Sequence, residues 1–267
     1  MKTLKESILS RSSHSGESFK TKRRNEIAEW LTEYDIKNYT IKDDFSIDVN
    51  GNVNLELKEI TELPDYIQFG VVSGYFNCSF NPLTTLRGFP RIVKDCFDCS
   101  FNDLNSLEGV PERVDNNFYC YNNQLTSLKG TPKKVKKFNC SNNKLISLEG
   151  APKIVESFDC SGNQLVSLEG APKKISKDFD CRSNKLTSLK GAPREVRSFS
   201  CSYNELTSLK GAPKKVNGSF ICSGNQLVSL EGAPKEVGEY FICSSNLSTF
   251  TEEDVRKVCN VEGPIVF

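Results

Sequence analysis

Histidine is almost absent from this sequence, and the single one, His14, lies among serines near the start of the chain. Most serine and cysteine nucleophiles need a histidine base beside them, so pairs of that kind are excluded from the rest of the chain. The phosphate-binding motifs G-x-x-x-x-G-K-[ST] and G-x-G-x-x-G are absent too. Scattered Asp and Glu residues form no identifiable acid–base pair. We therefore predict no catalytic residue, and we expect that the protein is not an enzyme.

Long apolar runs and net charge are lacking as well. No apolar stretch reaches the roughly 18 residues of a membrane span, so we expect none, and no secretory signal is recognisable. The 35 basic and 34 acidic side chains nearly cancel. Overall charge therefore gives no reason to expect nucleic acid or a membrane as the partner.

Repetition is what the chain has in abundance. The unit F-x-C-x-x-N-x-L-x-x-L-x-G-x-P, seen from Phe138 to Pro152, recurs along most of the sequence with its cysteines 20 or 21 residues apart. A fixed period of this length is the signature of a solenoid. The cysteines of this series are Cys78, Cys99, Cys120, Cys140, Cys160, Cys181, Cys201, Cys222 and Cys243.

Each column of the repeat has a predicted structural role. Phe and Cys are two residues apart, so both side chains point inward from one strand. Asn, three residues after Cys, is predicted to form a ladder of amides that bond the backbone of the neighbouring turn. Val or Ile stands three or four residues before Phe, and Gly-x-Pro marks the turn onto the opposite side.

All eleven cysteines are predicted to be reduced. Nine of them share one core column, where an odd number and a demanding bridge geometry disfavour pairing. The C-x-x-C spacing of zinc sites occurs once, at Cys96 and Cys99, and Cys99 belongs to the column, so we expect no metal site and no cofactor. So many free thiols predict a reducing compartment. The expected location is the cytoplasm.

The chain before the regular array divides into two predicted segments. Residues 1–23 are predicted to be a disordered, basic, Ser-rich tail, because Glu6 and Glu17 argue against a transit peptide. Residues 24–70 are predicted to form an N-terminal cap. The cap has a short helix over 24–34, a β-hairpin that turns at Asn50-Gly51, and a degenerate first repeat from Leu57.

The array and the end of the chain form the other two predicted segments. Residues 71–247 hold nine F-x-C-x-x-N repeats, and the pattern fails at Asn246-Leu247. Residues 248–267 are predicted to be a C-terminal cap. It contains a short helix that starts at Thr251, where the acidic residues of a first helical turn follow, and a final strand.

The columns V-x-x-F-x-C-x-x-N-x-L resemble the consensus of leucine-rich repeats, with Phe and Cys in two of the leucine positions. Short repeats with Gly-x-Pro and a following basic pair resemble those of bacterial effectors of the YopM and IpaH group, over residues 55–247. The near-identical Cys-Ser-x-Asn-x-Leu-x-Ser-Leu-x-Gly-Ala-Pro units look closer still to uncharacterised repeat proteins of bacteriophages and bacteria.

This resemblance implies an α/β solenoid with a parallel β-sheet on its concave face, an irregular, polyproline-like convex side and caps at both ends. In the IpaH group a ubiquitin-ligase domain follows the repeats. Only residues 248–267 follow the array here, so the resemblance does not imply that activity.

Candidate binding residues are the variable strand positions. We expect the residues just before Phe, between Phe and Cys, and one and two after Cys on the concave surface. Contiguous exposed aromatic residues favour a protein interface, although caps or neighbouring repeats could cover them, above all near the C-terminal cap. The predicted N-terminal cluster is Tyr75, Phe80, Phe101, Tyr119 and Tyr121, and the predicted C-terminal cluster is Tyr203, Ile221, Tyr240 and Ile242.

The predicted function is a non-enzymatic module that binds a protein partner through the concave face. One alternative is a structural or decorating protein of a particle such as a phage virion. The other is nucleic-acid binding, because a basic row on the convex edge could follow a phosphate backbone. Nearby glutamates favour a solvated face of mixed charge there instead. The row is Arg91, Arg113, Lys133, Lys134, Lys153, Lys173, Lys174, Arg194, Lys214, Lys215 and Lys235.

Overall fold

The computed structural model describes the backbone of residues 4–267 and the side chains of residues 18–267. Two helices, α1 (Leu4–Glu33) and α2 (Glu252–Val258), flank a long series of short strands. In chain order the strands are β1 (Tyr39–Ile41), β2 (Ile47–Val49), β3 (Val53–Asn54), β4 (Phe69–Val72), β5 (Phe76–Asn77), β6 (Ile92–Val93), β7 (Phe97–Asp98), β8 (Arg113–Val114), β9 (Phe118–Tyr119), β10 (Lys137–Asn139), β11 (Ser157–Asp159), β12 (Asp178–Asp180), β13 (Glu195–Val196), β14 (Ser198–Ser200), β15 (Lys215–Val216), β16 (Phe220–Ile221), β17 (Glu236–Val237), β18 (Phe241–Ile242), β19 (Asn260–Val261) and β20 (Ile265–Val266).

Eleven strands form the main sheet, in the order β20-β18-β16-β14-β12-β11-β10-β9-β7-β5-β3. Neighbours are parallel, and from β5 to β18 they pair Phe with Phe; Phe138, for example, lies between Phe118 and Phe158. Since side chains alternate along a strand, this register puts the whole Phe column on one face. All nine phenylalanines of the column are buried there, together with the Cys column. The neighbouring rings of Phe138 and Phe158 lie 5.4 Å apart, within the range of favourable aromatic contact.

The Val/Ile column forms two shorter sheets beside the main one. The N-terminal side sheet has the order β1-β2-β4-β6-β8, and the C-terminal side sheet has the order β13-β15-β17-β19. Between β8 and β13 the pairing is reduced to two isolated bridges, Lys134 with Ile154 and Val155 with Ile175. The convex turn lies outside the sheets, and Gly150 takes a positive φ of 92° there.

The asparagine column is the ladder that the sequence predicts. Asn163 is buried, and its Nδ2 donates to the carbonyls of Cys140, Cys160 and Ser161 at 3.1–3.2 Å. Its Oδ1 accepts from the backbone N–H of Leu145 at 3.0 Å. One amide thus satisfies four backbone groups in two successive turns. The same bonds recur at Asn102, Asn123, Asn143, Asn184, Asn204 and Asn225.

A parallel sheet of 20- or 21-residue turns, one buried Phe per strand and a continuous asparagine ladder are the features of one architecture. The chain folds as a leucine-rich-repeat solenoid. The predicted fold class is confirmed.

Asn163→Ala is expected to lower the free energy of unfolding by at least about 3 kcal/mol. The alanine leaves several buried backbone groups unpaired, and each costs about 1–3 kcal/mol. Denaturant unfolding measures the difference. Gln164→Ala, at the exposed neighbour, is the control and is expected to change stability little; an equal loss in both variants contradicts the role given to the ladder.

Helix α1 closes the N-terminal end of the core. Ile27 and Leu31 are fully buried, and the ring of Trp30 lies 6.2 Å from that of Phe69. The apolar stripe of the predicted helix therefore docks on the first strands, as the sequence indicates.

The start of this helix needs correction. The sequence predicts a disordered tail over residues 1–23, whereas α1 begins at Leu4 and residues 18–23 are helical. Residues 1–3 lie outside the described part of the chain. Arg24 fixes this part of the helix, because its Nη1 donates to the Ile41 carbonyl at 2.6 Å and its Nη2 lies 3.1 Å from Asp43 Oδ1. Extending an already docked helix adds one hydrogen bond per residue, which outweighs the weak helix propensity of serine.

The predicted hairpin turn at Asn50-Gly51 is wrong. The antiparallel pair is β1 with β2, which turn between residues 42 and 46. The segment after Val49 crosses from the side sheet to the main sheet instead, since Val49 pairs with Val72 and Val53 pairs with Phe76 in parallel registers. Asn50-Gly51 is thus the step between the Val and Phe columns. The degenerate first turn begins at Ile47, ten residues before the predicted start at Leu57.

The C-terminal helix is present where the sequence predicts it. Thr251 caps α2 in a reciprocal capping box with Asp254, and Val255 is buried. The strands that follow continue the array: β19 pairs with β17 and β20 with β18, both in parallel. Residues 260–266 therefore add one strand to the C-terminal side sheet and one to the main sheet. They leave the outer face of the main sheet open.

Candidate protein-binding face

The cysteine column does not supply a reactive nucleophile. Its thiols are buried, and several donate to a carbonyl of the next turn, as Cys140 does to Asp159 O at 3.5 Å. Burial raises the pKa of the Cys140 and Cys160 thiols well above the ordinary range. The same cause raises the pKa of Cys243 to about 11. These thiols stay protonated at neutral pH, and only the thiolate is nucleophilic.

Cys96 is expected to be the fastest cysteine to react with a thiol reagent in the folded protein at mildly alkaline pH. Of the eleven cysteines it alone is not buried. Mass spectrometry of alkylated protein locates the label, and Cys96→Ser is expected to remove the fast phase. Equally fast labelling of Cys140 in the folded state contradicts this expectation.

The outer face of the main sheet carries the residues between Phe and Cys. Many of these are Asn or Asp, and each accepts a hydrogen bond from the backbone N–H two residues later. Asp98 accepts from Ser100, Asn139 from Ser141 and Asp180 from Arg182, at 2.9–3.0 Å. The carboxylates and amides therefore close the turn after each strand. Burial is the main cause that raises the pKa of Asp98 and of Asp180.

The position one after Cys is less available than the sequence predicts. Serine there is buried in most turns, as Ser79, Ser100 and Ser141 show. Tyr121 and Ser244 are half-buried there, and Arg182 is exposed. The expectation that the whole column faces the surface is wrong, because the chain turns inward at that point to reach the buried Asn.

The position two after Cys is left-handed in every turn. Its φ values lie between 51° and 64° at Phe80, Phe101, Asn122, Asn142, Gly162, Ser183, Tyr203, Gly224 and Ser245. Asn and Gly tolerate this conformation, whereas other residues pay about 1–2 kcal/mol. Phe80, Phe101 and Tyr203 therefore occupy it against their backbone preference. All three still leave a large part of the ring in solvent, 43%, 38% and 66% respectively.

Three residues of the predicted N-terminal cluster come together. The rings of Phe80 and Phe101 stack at 4.1 Å with an angle of 13°, and the Tyr121 ring meets Phe101 edge-on at 5.2 Å. Leu57, which the sequence prediction missed, continues the row. It has φ 54°, is 69% exposed, and donates its N–H to Ser79 O as Phe80 does to Ser100 O. We call Leu57, Phe80, Phe101 and Tyr121 the N-terminal patch.

Aligning Val53-Asn54-Leu55 with Phe76-Asn77-Cys78 gives the signal that could have found Leu57. It then falls two residues after the Cys position, as Phe80 does. The sequence prediction began the degenerate repeat at Leu57, and therefore did not align residues 53–55 with the first regular strand.

Tyr75 and Tyr119 stand apart from the patch, and in the described structure neither ring stacks on its members. The Tyr119 hydroxyl accepts from Asn117 Nδ2 at 3.0 Å, and Lys137 Nζ lies 5.8 Å from the centre of its ring. Tyr75 precedes Phe76, at the opposite end of the strand from Phe80, and is half-buried. Both remain predicted contact residues.

The predicted C-terminal cluster lies on the open face. Ile221 pairs with Ile242, and Ile242 pairs with Val266 of the last strand. Tyr240 and Tyr203 are 47% and 66% exposed, so the cap does not cover them. Val266, absent from the predicted cluster, extends the apolar row because β20 joins the sheet. We call Tyr203, Ile221, Tyr240, Ile242 and Val266 the C-terminal patch.

Tyr203→Asn is expected to raise the free energy of unfolding by up to about 1 kcal/mol, because asparagine accepts the left-handed backbone. The ring lies over Gly224, where a Cβ would come within 2.7 Å of it, and losing this contact offsets part of the gain. Denaturant midpoints measure the change. Tyr240→Asn, at a position with ordinary φ, is the control and is expected to give no gain. A clear destabilisation by Tyr203→Asn shows that the ring serves the fold.

The basic row lies beside the side sheets and is only partly neutralised. Arg113 pairs with Asp115 at 2.6 Å and Lys215 with Glu236 at 2.6 Å, whereas the ion pairs of the described residues include no other member of the row. The interruption between the side sheets leaves a groove there. Its lining mixes lysines such as Lys133, Lys153 and Lys173 with Glu112, Glu156 and Glu195.

Within the described part of the chain, no three His, Cys, Asp or Glu side chains are arranged to hold a metal ion. No helix there is long and apolar enough to cross a membrane.

Comparison with known proteins gives a likeness of fold to solved structures. No protein-family model matches the chain, and neither does any curated protein. Among solved structures the chain is similar to YopM from Yersinia enterocolitica WA-314, at 17% identity and a TM-score of 0.45. The likeness covers 80% of this chain and 64% of that one. The fold assignment rests on the repeat geometry described above.

Proposed function

We propose that this protein is a non-enzymatic interaction module that binds a protein partner through the outer face of its main sheet, the predicted concave face. Stacked solenoid repeats create extended surfaces of this kind. The N-terminal patch is the proposed centre of contact, and the C-terminal patch is a second contact region.

The observation that supports this most is the left-handed position two after Cys. Asn or Gly fills it in four of the nine turns and Ser in two, yet Phe80, Phe101 and Tyr203 stand there with exposed side chains. Strained residues of this kind persist where function requires them. Large exposed aromatics are also the residues that contribute most to protein interfaces.

The polar residues of the same face argue against an enzyme. Asp98, Asn139 and Asp180 each hold the backbone turn of their own strand. The cysteines are buried and protonated. The other side chains of the face are rings, methyl groups, small polar groups and a few charged groups such as Glu56 and Lys137, a mixture that suits contact with another macromolecule.

The alternatives from the sequence remain predictions. A role as a structural or decorating protein of a phage particle also uses a surface for protein contact. Nucleic-acid binding needs the groove beside the basic row, and the glutamates that line it weaken that alternative. The location in the cytoplasm of a bacterium or a phage-infected cell also remains a prediction, based on the free thiols and on the resemblance of the repeats.

Phe101→Asp with Tyr121→Asp is expected to reduce the amount of captured partner at least tenfold. Both changes put charge into the N-terminal patch, and aspartate tolerates the left-handed backbone. Tagged protein is used to capture partners from extracts of the native host, and bound proteins are quantified by mass spectrometry.

Ile146→Asp and Val228→Asp are the matched controls. These apolar residues are 67% and 63% exposed but lie outside the main sheet. Thermal unfolding establishes that all variants fold. Partners that survive in the patch variant, or that the controls lose equally, refute the assignment of the site.

A further inference from the structure

We propose that the N-terminal patch receives an arginine side chain of the protein partner, which stacks on the rings and pairs with Glu56 and Asp98. This inference rests on the proposed function and adds the chemistry of the partner to it.

The two carboxylates adjoin the rings of the patch. Glu56 directly precedes Leu57, and its Oε2 accepts from Asn77 Nδ2 at 3.2 Å. Asn77 is the register partner of Asp98 on the next strand. Asp98 in turn lies three residues before Phe101, at the start of the turn that presents that ring. Carboxylates and aromatic rings thus share one stretch of the sheet face.

Neither carboxylate has a cation of its own. The ion pairs of the described residues include neither Glu56 nor Asp98. Burial, with a smaller effect from nearby Glu56, raises the pKa of Asp98. The negative charge at this place is therefore poorly stabilised in the free protein, and a positive charge from outside would stabilise it.

Another turn of the same sheet shows a guanidinium paired with the carboxylate at this position. Asp180 occupies the position equivalent to Asp98, and Arg182, one residue after Cys181, pairs with it at 3.2 Å from Nε to Oδ2. At the equivalent place beside Asp98 the chain has Ser100, which is buried. The fold thus accommodates a guanidinium beside this carboxylate position, and the N-terminal patch lacks the residue that supplies one.

Arginine fits the site better than lysine does. Its planar guanidinium stacks on aromatic faces and offers a fork of N–H donors to carboxylates. The exposed rings of Phe80 and Phe101 provide a stacking surface, and the two carboxylates provide acceptors. Lys137 already shows a cation against the Tyr119 ring on this face, at 5.8 Å.

The test is a selection of random peptides displayed on phage against the full-length protein, followed by binding measurements with a selected peptide made synthetically. Peptides that also bind a Phe101→Asn, Tyr121→Ser protein, which lacks the two rings and adds no carboxylate beside the proposed arginine site, are removed. We expect the remaining peptides to share an arginine. Replacing it with glutamine is expected to weaken binding by about tenfold or more, the effect typical of a close charge pair.

The matched protein variants are Glu56→Gln with Asp98→Asn. Both keep the acceptor oxygens that the fold uses, and Asn77 and Asn139 show that asparagine makes the same backbone bond at this position. This double variant is expected to weaken the selected peptide by about tenfold or more and to lose preference for arginine over glutamine. Asp180→Asn, whose carboxylate already has Arg182, is the control and is expected to bind like the wild type.

The outcomes separate the two proposals. Peptides that need Phe101 and Tyr121 but share no arginine, or share lysine instead, refute the arginine site and leave the proposed function standing. The same holds if the double variant binds the selected peptide as tightly as the wild type does. A selection that yields no peptide dependent on Phe101 and Tyr121 refutes both proposals.

Discussion

The side-chain amide of the asparagine ladder is the interaction on which the rest of the structure depends. A solenoid turn this short must bend its backbone sharply after each two- or three-residue strand, and the bend leaves donors and acceptors inside the core. Asn163 and its equivalents satisfy those groups with bonds to two successive turns. The Phe and Cys columns can then pack without leaving those backbone groups unpaired. The shape of each turn is thereby fixed, including the left-handed residue just before the ladder.

That geometry separates the residues that serve the fold from those that are free. Phe, Cys, Asn and Leu are committed to the core, and the Asx residues of the sheet face hold the turns. The many cysteines and the aspartates of the strands therefore form no reactive site at these positions. The residue types vary only at a few strand positions on the outer face of the main sheet. The exposed apolar residues of that face concentrate near the two ends of the array.

The repeat made the core predictable, because a period of 20 or 21 residues constrains every equivalent position at once. The Phe, Cys and Asn columns and the capping of α2 at Thr251 were all foreseeable from residue type. The residues at the two ends of the array were harder to predict. Asn50-Gly51 matches a hairpin turn locally, but the parallel pairing of Val53 with Phe76 decides its role. Leu57, Glu56 and Val266 join the proposed binding face only through long-range register. Phe101 by itself gives no indication that its φ is left-handed. The conformation could be predicted only from the Asn and Gly residues that occupy the equivalent position in other turns.

The regular strand spacing of the main sheet also fixes the distance between equivalent positions of different turns. Phe101 and Tyr203 occupy the same position of turns five rungs apart, which at about 4.8 Å per strand sets them roughly 24 Å from each other. Gain or loss of a whole turn between them would change that separation in fixed increments and leave both patches intact. Under the proposed function, the length of the small, polar middle of the array sets how far apart two features of a partner lie when both patches contact it. Unequal recombination between near-identical repeats can reset that distance in a single event.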